Sequence, residues 1–490
     1  MRSSHSGLLK SAEPARDARA LALRALLHDG TQAALDQVLR EPEGKAGVRI
    51  DNRERALATQ LTYGTVKMRR ALIWSLQHYL RKPFDGMDAA LQNVLLLGAF
   101  QLLYLKKIPA HSAVDESVKL ARRYGHAGTA AVANAVLRKL SSQPLRPPPP
   151  EDASQLEVFA DFASVPNWIA QHWIDRFGFA TALQIAEGVN QQARRALRVN
   201  TTRVSVAAMS AELAAKNVSV RAGVYGIPEC LVLEERAPDP VEYAVKSAPL
   251  QSTIAQAIRL GLVTVQSEES QLAVQLLQPG SSATIADVCA GRGVKAGAIG
   301  ERLSAASRLF ALDDDGAKLA LLAAEFQRLG LKRPHIVRGD ARQPYPASMP
   351  TDADAVLVDV PCSGIGTIGR RAELRWTKEA HDPQRLGHTQ LAILDRAASI
   401  VREGGRLLYA VCSTAVAENE DVVGAFLARN PQWRSAPLAL DGHSTAVDKL
   451  PHTVKKLGDF ALTVPGIDGA DGFFYALLIR RSATPEQALP

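Results

Sequence analysis

Thr284-Ile-Ala-Asp-Val-Cys-Ala-Gly-Arg-Gly-Val-Lys-Ala296 compresses an aliphatic run, an aspartate, a glycine-containing turn and the start of a helical stretch into thirteen residues. Strand, glycine turn, helix is how a Rossmann-like sheet lets backbone approach a nucleotide cofactor. One such turn is a weak signal, because Gly-x-Gly arises by chance. Its surroundings strengthen it. Arg308-Leu-Phe-Ala-Leu-Asp313, His335-Ile-Val-Arg-Gly-Asp340, Ala355-Val-Leu-Val-Asp359 and Arg406-Leu-Leu-Tyr-Ala-Val411 are further short runs separated by helical stretches. Four of these five candidate strands end in, or run directly into, an aspartate. The alternation predicts a doubly wound α/β sheet whose ligand lies beyond the carboxyl ends of its parallel strands. Asp313 then falls where a ribose diol is expected, and Asp340 near an adenine pocket.

Two cysteines extend the pattern. Asp359-Val-Pro-Cys-Ser-Gly-Ile-Gly366 follows a wholly apolar run and Ala410-Val-Cys-Ser-Thr414 follows the last one, which sets Cys362 and Cys412 at strand ends on one sheet edge. Carbon 5 of cytosine is a poor nucleophile until a group adds to carbon 6. A thiolate does this, and the resulting enamine can attack an activated methyl. A base must then remove the carbon-5 proton before the thiolate leaves. For one cysteine alone the plainer reading is an inert buried thiol. For two at one edge beside a carboxylate, chemistry is the better account.

Working outward, residues from about Ala15 to Leu140 repeat apolar side chains at three- and four-residue spacing, so this region is expected to be all-helical. The run Val94 to Leu105 is too short and too interrupted to span a bilayer. Pro144 to Pro150 reads as a stiff linker. The divisions expected are a helical domain over 15–142, a proline-rich linker over 143–154, a mixed α/β RNA-binding subdomain over 155–262 and a catalytic domain over 263–482. Net charge is +8, and residues 1–150 carry 23 Lys+Arg against 12 Asp+Glu while the rest is slightly acidic. That imbalance suggests a nucleic-acid grip, with a merely solvated surface as the equal alternative. The four cysteines lack CxxC spacing, so neither a disulfide framework nor a structural zinc site is expected. The opening residues have no signal-like apolar core, and a cytoplasmic location is expected.

With these stretches on the page a resemblance emerges. Asp287-Val-Cys-Ala-Gly-Arg-Gly-Val-Lys295, Asp359-Val-Pro-Cys-Ser-Gly-Ile-Gly366, Arg370-Arg371 with Trp376, and Val411-Cys-Ser with Glu418-Asn419 resemble the successive motifs of the Sun/Fmu-type RNA (cytosine-5) methyltransferases. Arg53-Glu-Arg-Ala-Leu-Ala-Thr-Gln-Leu-Thr-Tyr-Gly64 and Ile108-Pro-Ala-His-Ser-Ala-Val-Asp-Glu-Ser-Val118 resemble the family's NusB-like RNA-binding domain. Leu197-Arg-Val-Asn200 and Val265-Gln-Ser-Glu-Glu-Ser-Gln-Leu-Ala273 match its middle segment, and Asp468-Gly-Ala-Asp-Gly-Phe-Phe-Tyr-Ala476 its closing strand.

The resemblance implies an all-α NusB-like domain joined to an α/β Rossmann-like domain that uses S-adenosylmethionine to methylate a cytosine of small-subunit (16S) ribosomal RNA. It makes Cys412 the nucleophile and Cys362 the residue assisting product release. Cys289, Ala290, Gly291, Arg292, Gly293, Val294 and Lys295 become the cofactor loop, with Asp313, Asp340 and Asp359 facing the cofactor. Arg370 and Arg371 become candidate RNA-phosphate contacts, with a solvated surface pair as the alternative. Trp376 reads as packing, and Cys230 and the thiol of Cys289 as chemically bland. A monomer is expected, with no DNA, membrane or metal involved.

The loop departs from the family, which has Pro and Gly where this chain has Arg292 and Val294. Val294 adds a branched side chain at a point of close approach. A cation at ~6 Å from a sulfonium repels it by roughly 3 kcal/mol at an effective dielectric of ~20, unless Arg292 points outward or pairs with Glu268 or Glu269. Gly466 also stands where the family has a histidine. An alternative function is therefore a catalytically weak paralogue that binds RNA as a ribosome-assembly factor. A DNA cytosine methyltransferase fits less well, since it needs only the Pro-Cys thiol.

Because residues 1–140 hold the charge excess, deleting them is expected to weaken binding to small-subunit RNA and flatten its salt dependence, while cofactor binding stays nearly intact. Filter binding across a salt series checks this. Equal RNA affinity for the truncated chain at moderate salt would overturn it.

Overall fold

The computed structural model describes residues 17–40, 51–234, 253–281, 283–438 and 453–482. They group into two compact units, one holding the described residues of Met1–Asn190 with Arg375–Thr377, and the other the rest of the catalytic region with Gln191–Glu234.

The first unit is helical, with no strand among its described residues: Ala18–His28, Gln32–Arg40, Asn52–Lys67, Arg69–Gln77, Ala89–Tyr104, Ala110–Tyr124 and Ala127–Ser142 form its main body. Aspartates start three of these helices. Asp17, Asp51 and Asp88 each accept from a backbone N–H of the first turn, satisfying donors that a helix leaves open. Ala89–Tyr104 is buried over most of its surface, as a largely apolar helix at the centre of a bundle must be. Gly64 allows the closest approach to it, since a Cβ there would sit 1.9 Å from the Phe100 ring. No described helix is long and apolar enough to cross a membrane.

Leu156–Ala163, Asn167–Phe177 and Phe179–Asn190 belong to this same unit, so the compact division falls after Asn190 and not in the proline-rich stretch 143–154. Arg70 supplies the reason. Its guanidinium donates to Glu157 (2.5 Å), Asp161 (2.6 Å), Asn167 Oδ1 (2.6 Å) and the Val165 carbonyl (3.1 Å), fastening these helices to Arg69–Gln77. Of the expected mixed subdomain over 155–262, the helices up to Asn190 lie in this unit, and the strands lie in the other together with the helix Val206–Ala215. Residues 235–252 of it lie outside the described set.

The second unit contains two sheets. The smaller is antiparallel throughout, in order β2(Val220–Ala222)–β3(Cys230–Leu233)–β1(Ala196–Val199)–β4(Val263–Val265), with Val206–Ala215 packed through Met209 and Leu213 on its apolar core. In the larger sheet β5(Thr284–Asp287), β6(Arg308–Asp313), β7(His335–Arg338), β8(Ala353–Asp359) and β9(Val401–Val411) are parallel, in order β7–β6–β5–β8–β9. These are the five strands expected from the aliphatic runs. Beyond β9 the sheet continues antiparallel through β13(Phe474–Arg480), β12(Phe460–Thr463) and β11(Val454–Leu457), and β10(Trp433–Ala436) also pairs with β13. The chain runs outward from β5 to β7 and then returns to the other side of β5 as β8. That reversal opens a crevice at the carboxyl ends of β5 and β8.

Arg198, fully buried on β1, joins the small sheet to this crevice. It donates to both oxygens of Glu301 (2.9 and 3.0 Å), to Gln266 and to the carbonyl of Val294 (2.9 Å), the first residue of the helix that follows the glycine loop. Arg198→Met leaves the Glu301 carboxylate buried without its cation. Scanning calorimetry of the full chain is expected to show destabilisation of about 3 kcal/mol or more, and a shift below 1 kcal/mol would refute the assignment.

Candidate active site

A cavity of about 500 Å³ opens at the switch point, lined among others by Cys289, Gly291, Arg292, Asp313, Asp340, Asp359, Pro361 and Ile393. Gly291 (φ +56°) and Gly293 (φ +84°) are the two loop residues in the left-handed region. A Cβ on Gly293 would meet Leu322 at 2.6 Å, whereas one on Gly291 would project into open space at the cavity wall. Val294 has ordinary helical geometry as the first residue of Val294–Gly300, so nothing at its position requires glycine. Arg292 is exposed, and Glu268 and Glu269 do not receive it: they are buried against Arg194 at 3.3 and 3.2 Å. Exposure to water screens the repulsion expected from Arg292. Gly466 has φ +80°, a conformation in which a histidine would be strained.

Asp313 accepts from the Gly291 N–H (2.9 Å) and the Asp315 N–H (3.0 Å), and so fixes the turn on the edge of β6. Asp340 pairs with Arg342 at 2.6 Å on the opposite part of the wall. Asp287, buried at the end of β5, has an Oδ1 with no hydrogen-bond partner among the described residues, and burial with the nearby Asp359 charge pushes it up to about 7. Acid groups with free acceptor capacity, an open backbone cradle at Gly291 and apolar Leu312 and Ile393 fit a nucleoside-bearing cation.

The two predicted thiols meet. Cys362 Sγ and Cys412 Sγ are 3.0 Å apart, both half-buried. Beside them Lys295 donates to Asp359 Oδ2 at 2.6 Å and lies 5.6 Å from the Phe473 ring centroid. Burial opposes the lysine charge, but Asp359 and Cys412 outweigh it and raise its pKa. Cys362 is pushed well up, first by its hydrogen bond to Cys412 and then by burial, so it keeps its proton at neutral pH. Burial also raises Cys289 strongly and Cys230 to about 12, in keeping with their reading as unreactive.

Arg370 and Arg371 diverge. Arg370 is engaged by Asp471 (2.7 Å) and the Arg194 carbonyl, whereas Arg371 is exposed with Glu373 at 3.3 Å. Trp376 donates its indole N–H to the Val66 carbonyl at 2.8 Å, as a packed residue does. Glu418 was legible only as a motif residue. It is fully buried between the two cysteine loops, and besides nearby Ser413 its partners Ser363 and Gln390 lie far off in sequence.

A Rossmann-like sheet with a cofactor crevice at its switch point and paired thiols after two of its parallel strands has the constitution of a methyltransferase. Comparison with known proteins narrows the class. Residues 274–479 match the family described as 16S rRNA methyltransferase RsmB/F, residues 15–142 the NusB family, and residues 165–239 the ferredoxin-like domain of RsmF/B-like methyltransferases. A probable ribosomal RNA small subunit methyltransferase B of Bacillus subtilis (strain 168) is 32% identical over 93% of this chain and 97% of its own. Among solved structures, PH0851 superposes with a TM-score of 0.75 at 22% identity, covering 96% of this chain and 99% of that one. NSun6 from Pyrococcus horikoshii, solved with SFG, gives a TM-score of 0.53 at 18% identity, covering 65% and 98%. The chain belongs to the RsmB/F family of S-adenosylmethionine-dependent methyltransferases.

The loop geometry predicts unequal effects of two substitutions. Gly293→Ala forces a side chain into the left-handed region and against Leu322, and is expected to weaken S-adenosylmethionine binding about tenfold, the equivalent of 1–2 kcal/mol of backbone strain. Val294→Gly should change affinity less than threefold. Isothermal calorimetry measures both, and the reverse ranking would refute this account of the loop.

Proposed function

We propose that this chain transfers a methyl group from S-adenosylmethionine to carbon 5 of a cytosine in small-subunit (16S) ribosomal RNA through a covalent adduct at Cys412. The observation carrying this reading is the 3.0 Å approach of the Cys362 and Cys412 sulfurs at the rim of the cofactor crevice. The RNA class follows from relatives named ribosomal RNA small subunit methyltransferase B.

Cys412 serves as nucleophile in this reading, as the family motif implies, with Cys362 facing it across the 3.0 Å contact. Cys362 holds its own proton and can donate it to a Cys412 thiolate, while the Lys295 ammonium acts on the same sulfur by charge. The thiolate adds to carbon 6 of the cytosine, and the electron pair of the ring double bond makes carbon 5 nucleophilic. S-adenosylmethionine would be held by the Gly291–Gly293 turn with Asp313, Asp340 and Asp359, and would supply the methyl group that carbon 5 takes up, its sulfonium sulfur leaving as a neutral thioether. Once Cys412 has become a thioether it no longer accepts from Cys362. Cys362 can then give up its own proton to solvent and take the carbon-5 proton. The released pair restores the ring double bond and expels Cys412 as thiolate. Arg371, exposed beside the site, and Arg370 beneath it are the proposed phosphate contacts, Arg371 with the freer guanidinium.

A denaturing gel separates the two thiols. Cys362→Ala is expected to accumulate a slow-migrating protein–RNA species, because the adduct forms and then stalls. Cys412→Ala is expected to give none, with methyl transfer lost. RNA carrying 5-azacytosine should trap the unaltered chain likewise. Adduct in Cys412→Ala alone would assign the nucleophile to Cys362, and no adduct in any folded, cofactor-binding variant would refute the enzyme.

A further inference from the structure

A carboxylate sits fully buried behind the two thiols, touching neither. Glu418 accepts from the backbone N–H of Ser363 (2.7 Å), the Ser363 hydroxyl, the Ser413 hydroxyl and the side-chain amide of Gln390 (3.0 Å). Ser363 follows Cys362 directly and Ser413 follows Cys412, and the two serine oxygens are 3.2 Å apart. Gln390 also donates to the Pro361 carbonyl, and the Tyr409 hydroxyl donates to the Glu418 carbonyl at 2.7 Å. One side chain therefore gathers the loops after β8 and β9 and the helix Asp382–Ala398. A buried carboxylate without donors would be expensive, so four donors aimed at one group mark a built position.

We propose that Glu418 is a positioning residue for methyl transfer: its buried carboxylate clamps the two cysteine loops at their working separation and sets its charge beside Cys362. This rests on the roles proposed above for Cys362 and Cys412. A neutral hydrogen-bonding residue could clamp the loops, but it would not hold the proton on Cys362. The groups facing Cys362 are Cys412, Tyr409, Asp359 with its Lys295 partner, and Glu418. Of these Cys412, Glu418 and Asp359 raise its pKa, in that order. Before an adduct forms the clamp favours one thiolate, not two. After it forms, Cys412 drops out of that list and Glu418 remains, so its charge makes the Cys362 thiolate a stronger base toward carbon 5.

The test uses the full chain and two independent readouts. The first compares Cys412→Ala with Cys412→Ala/Glu418→Gln, following iodoacetamide alkylation of Cys362 against pH by peptide mass spectrometry. Removing the charge should let Cys362 react at lower pH, roughly tenfold faster at pH 8, which is a shift of about one pKa unit. This readout needs no RNA, so it stands apart from failure of the proposed function, which would show as absent methyl transfer by the unaltered chain. The second readout is single-turnover methylation. Glu418→Gln should lower the rate about a hundredfold with RNA and S-adenosylmethionine affinities nearly unchanged. Ser363→Ala/Ser413→Ala removes two donors but keeps the charge. It should slow turnover without bringing Cys362 alkylation to lower pH, and it decides the matter if Glu418→Gln does not fold. Unmoved alkylation in the Gln variant, full turnover in the serine variant, or rate loss matched by equal loss of both affinities would overturn the proposal.

Discussion

Parallel strands deliver their carboxyl ends to the same sheet edge, and the register of β8 and β9, with Asp359 opposite Ala410, obliges the residues after both strands to share one space. Cys362 lies three positions beyond that pair on one strand and Cys412 two positions beyond it on the other. A slip of one residue would turn the inward faces of either strand outward and part the thiols. Burial prevents the slip: Val356, Leu357 and Val358 on β8 and Leu407, Leu408, Tyr409 and Ala410 on β9 are all buried. The apolar core of the sheet is thus also what aligns the chemistry. Gly366 adds a second constraint. Its N–H donates to the Cys412 carbonyl (3.2 Å) and its own carbonyl accepts from Gly472 (2.7 Å), while a Cβ there would lie 2.0 Å from the Gly472 oxygen. The loop after β8 is pinned between the loop after β9 and the turn before β13.

Around this frame the charges are arranged for a cationic ligand. Asp287, Asp313 and Asp359 end three adjacent parallel strands, and Lys295 is the cation bonded to one of them. Asp287 is held near 7 by burial and by the Asp359 charge. A sulfonium entering the crevice supplies positive charge where the sheet has left acid groups in excess, so binding and ionisation of Asp287 reinforce one another. Arg292 lines the same cavity but is exposed to water, which screens its charge.

The five parallel strands were legible because each is a short aliphatic run stopped by an acid, and a doubly wound sheet needs both features. The antiparallel part was not. β10, β11 and β12 are four residues each and carry charged or small side chains such as Arg434, Lys455 and Lys456, which read as loop. β9 begins at Val401, earlier than its aliphatic run, because Gly404 (φ +69°) and Gly405 look like a turn and instead lie within the strand. Arg70 recruits the helices after the proline-rich stretch into its compact unit through long-range bonds that no local pattern reveals. In the site, Cys362 and Cys412 were found from motif context and strand ends. Glu418 carried no local signal of its role: Ser363 and Gln390 lie 55 and 28 residues away, and only the fold makes them neighbours.

The four cysteines show what separates an inert thiol from a reactive one. Cys230 and Cys289 are raised chiefly by burial, and each also feels nearby acids, which raise a thiol further. For Cys230, Arg194 and Gln271 pull the other way without outweighing burial. Cys362 is also raised, but its leading cause is a hydrogen bond to a second sulfur. That cause is reversible in a way that burial is not, since it depends on Cys412 being free to accept. A thiol pair whose first member reacts changes the proton affinity of the second without any movement of the backbone. The rigid register of β8 and β9 is therefore no obstacle to the two-step reaction proposed for this site, in which the switch between steps is a change of charge on one sulfur atom.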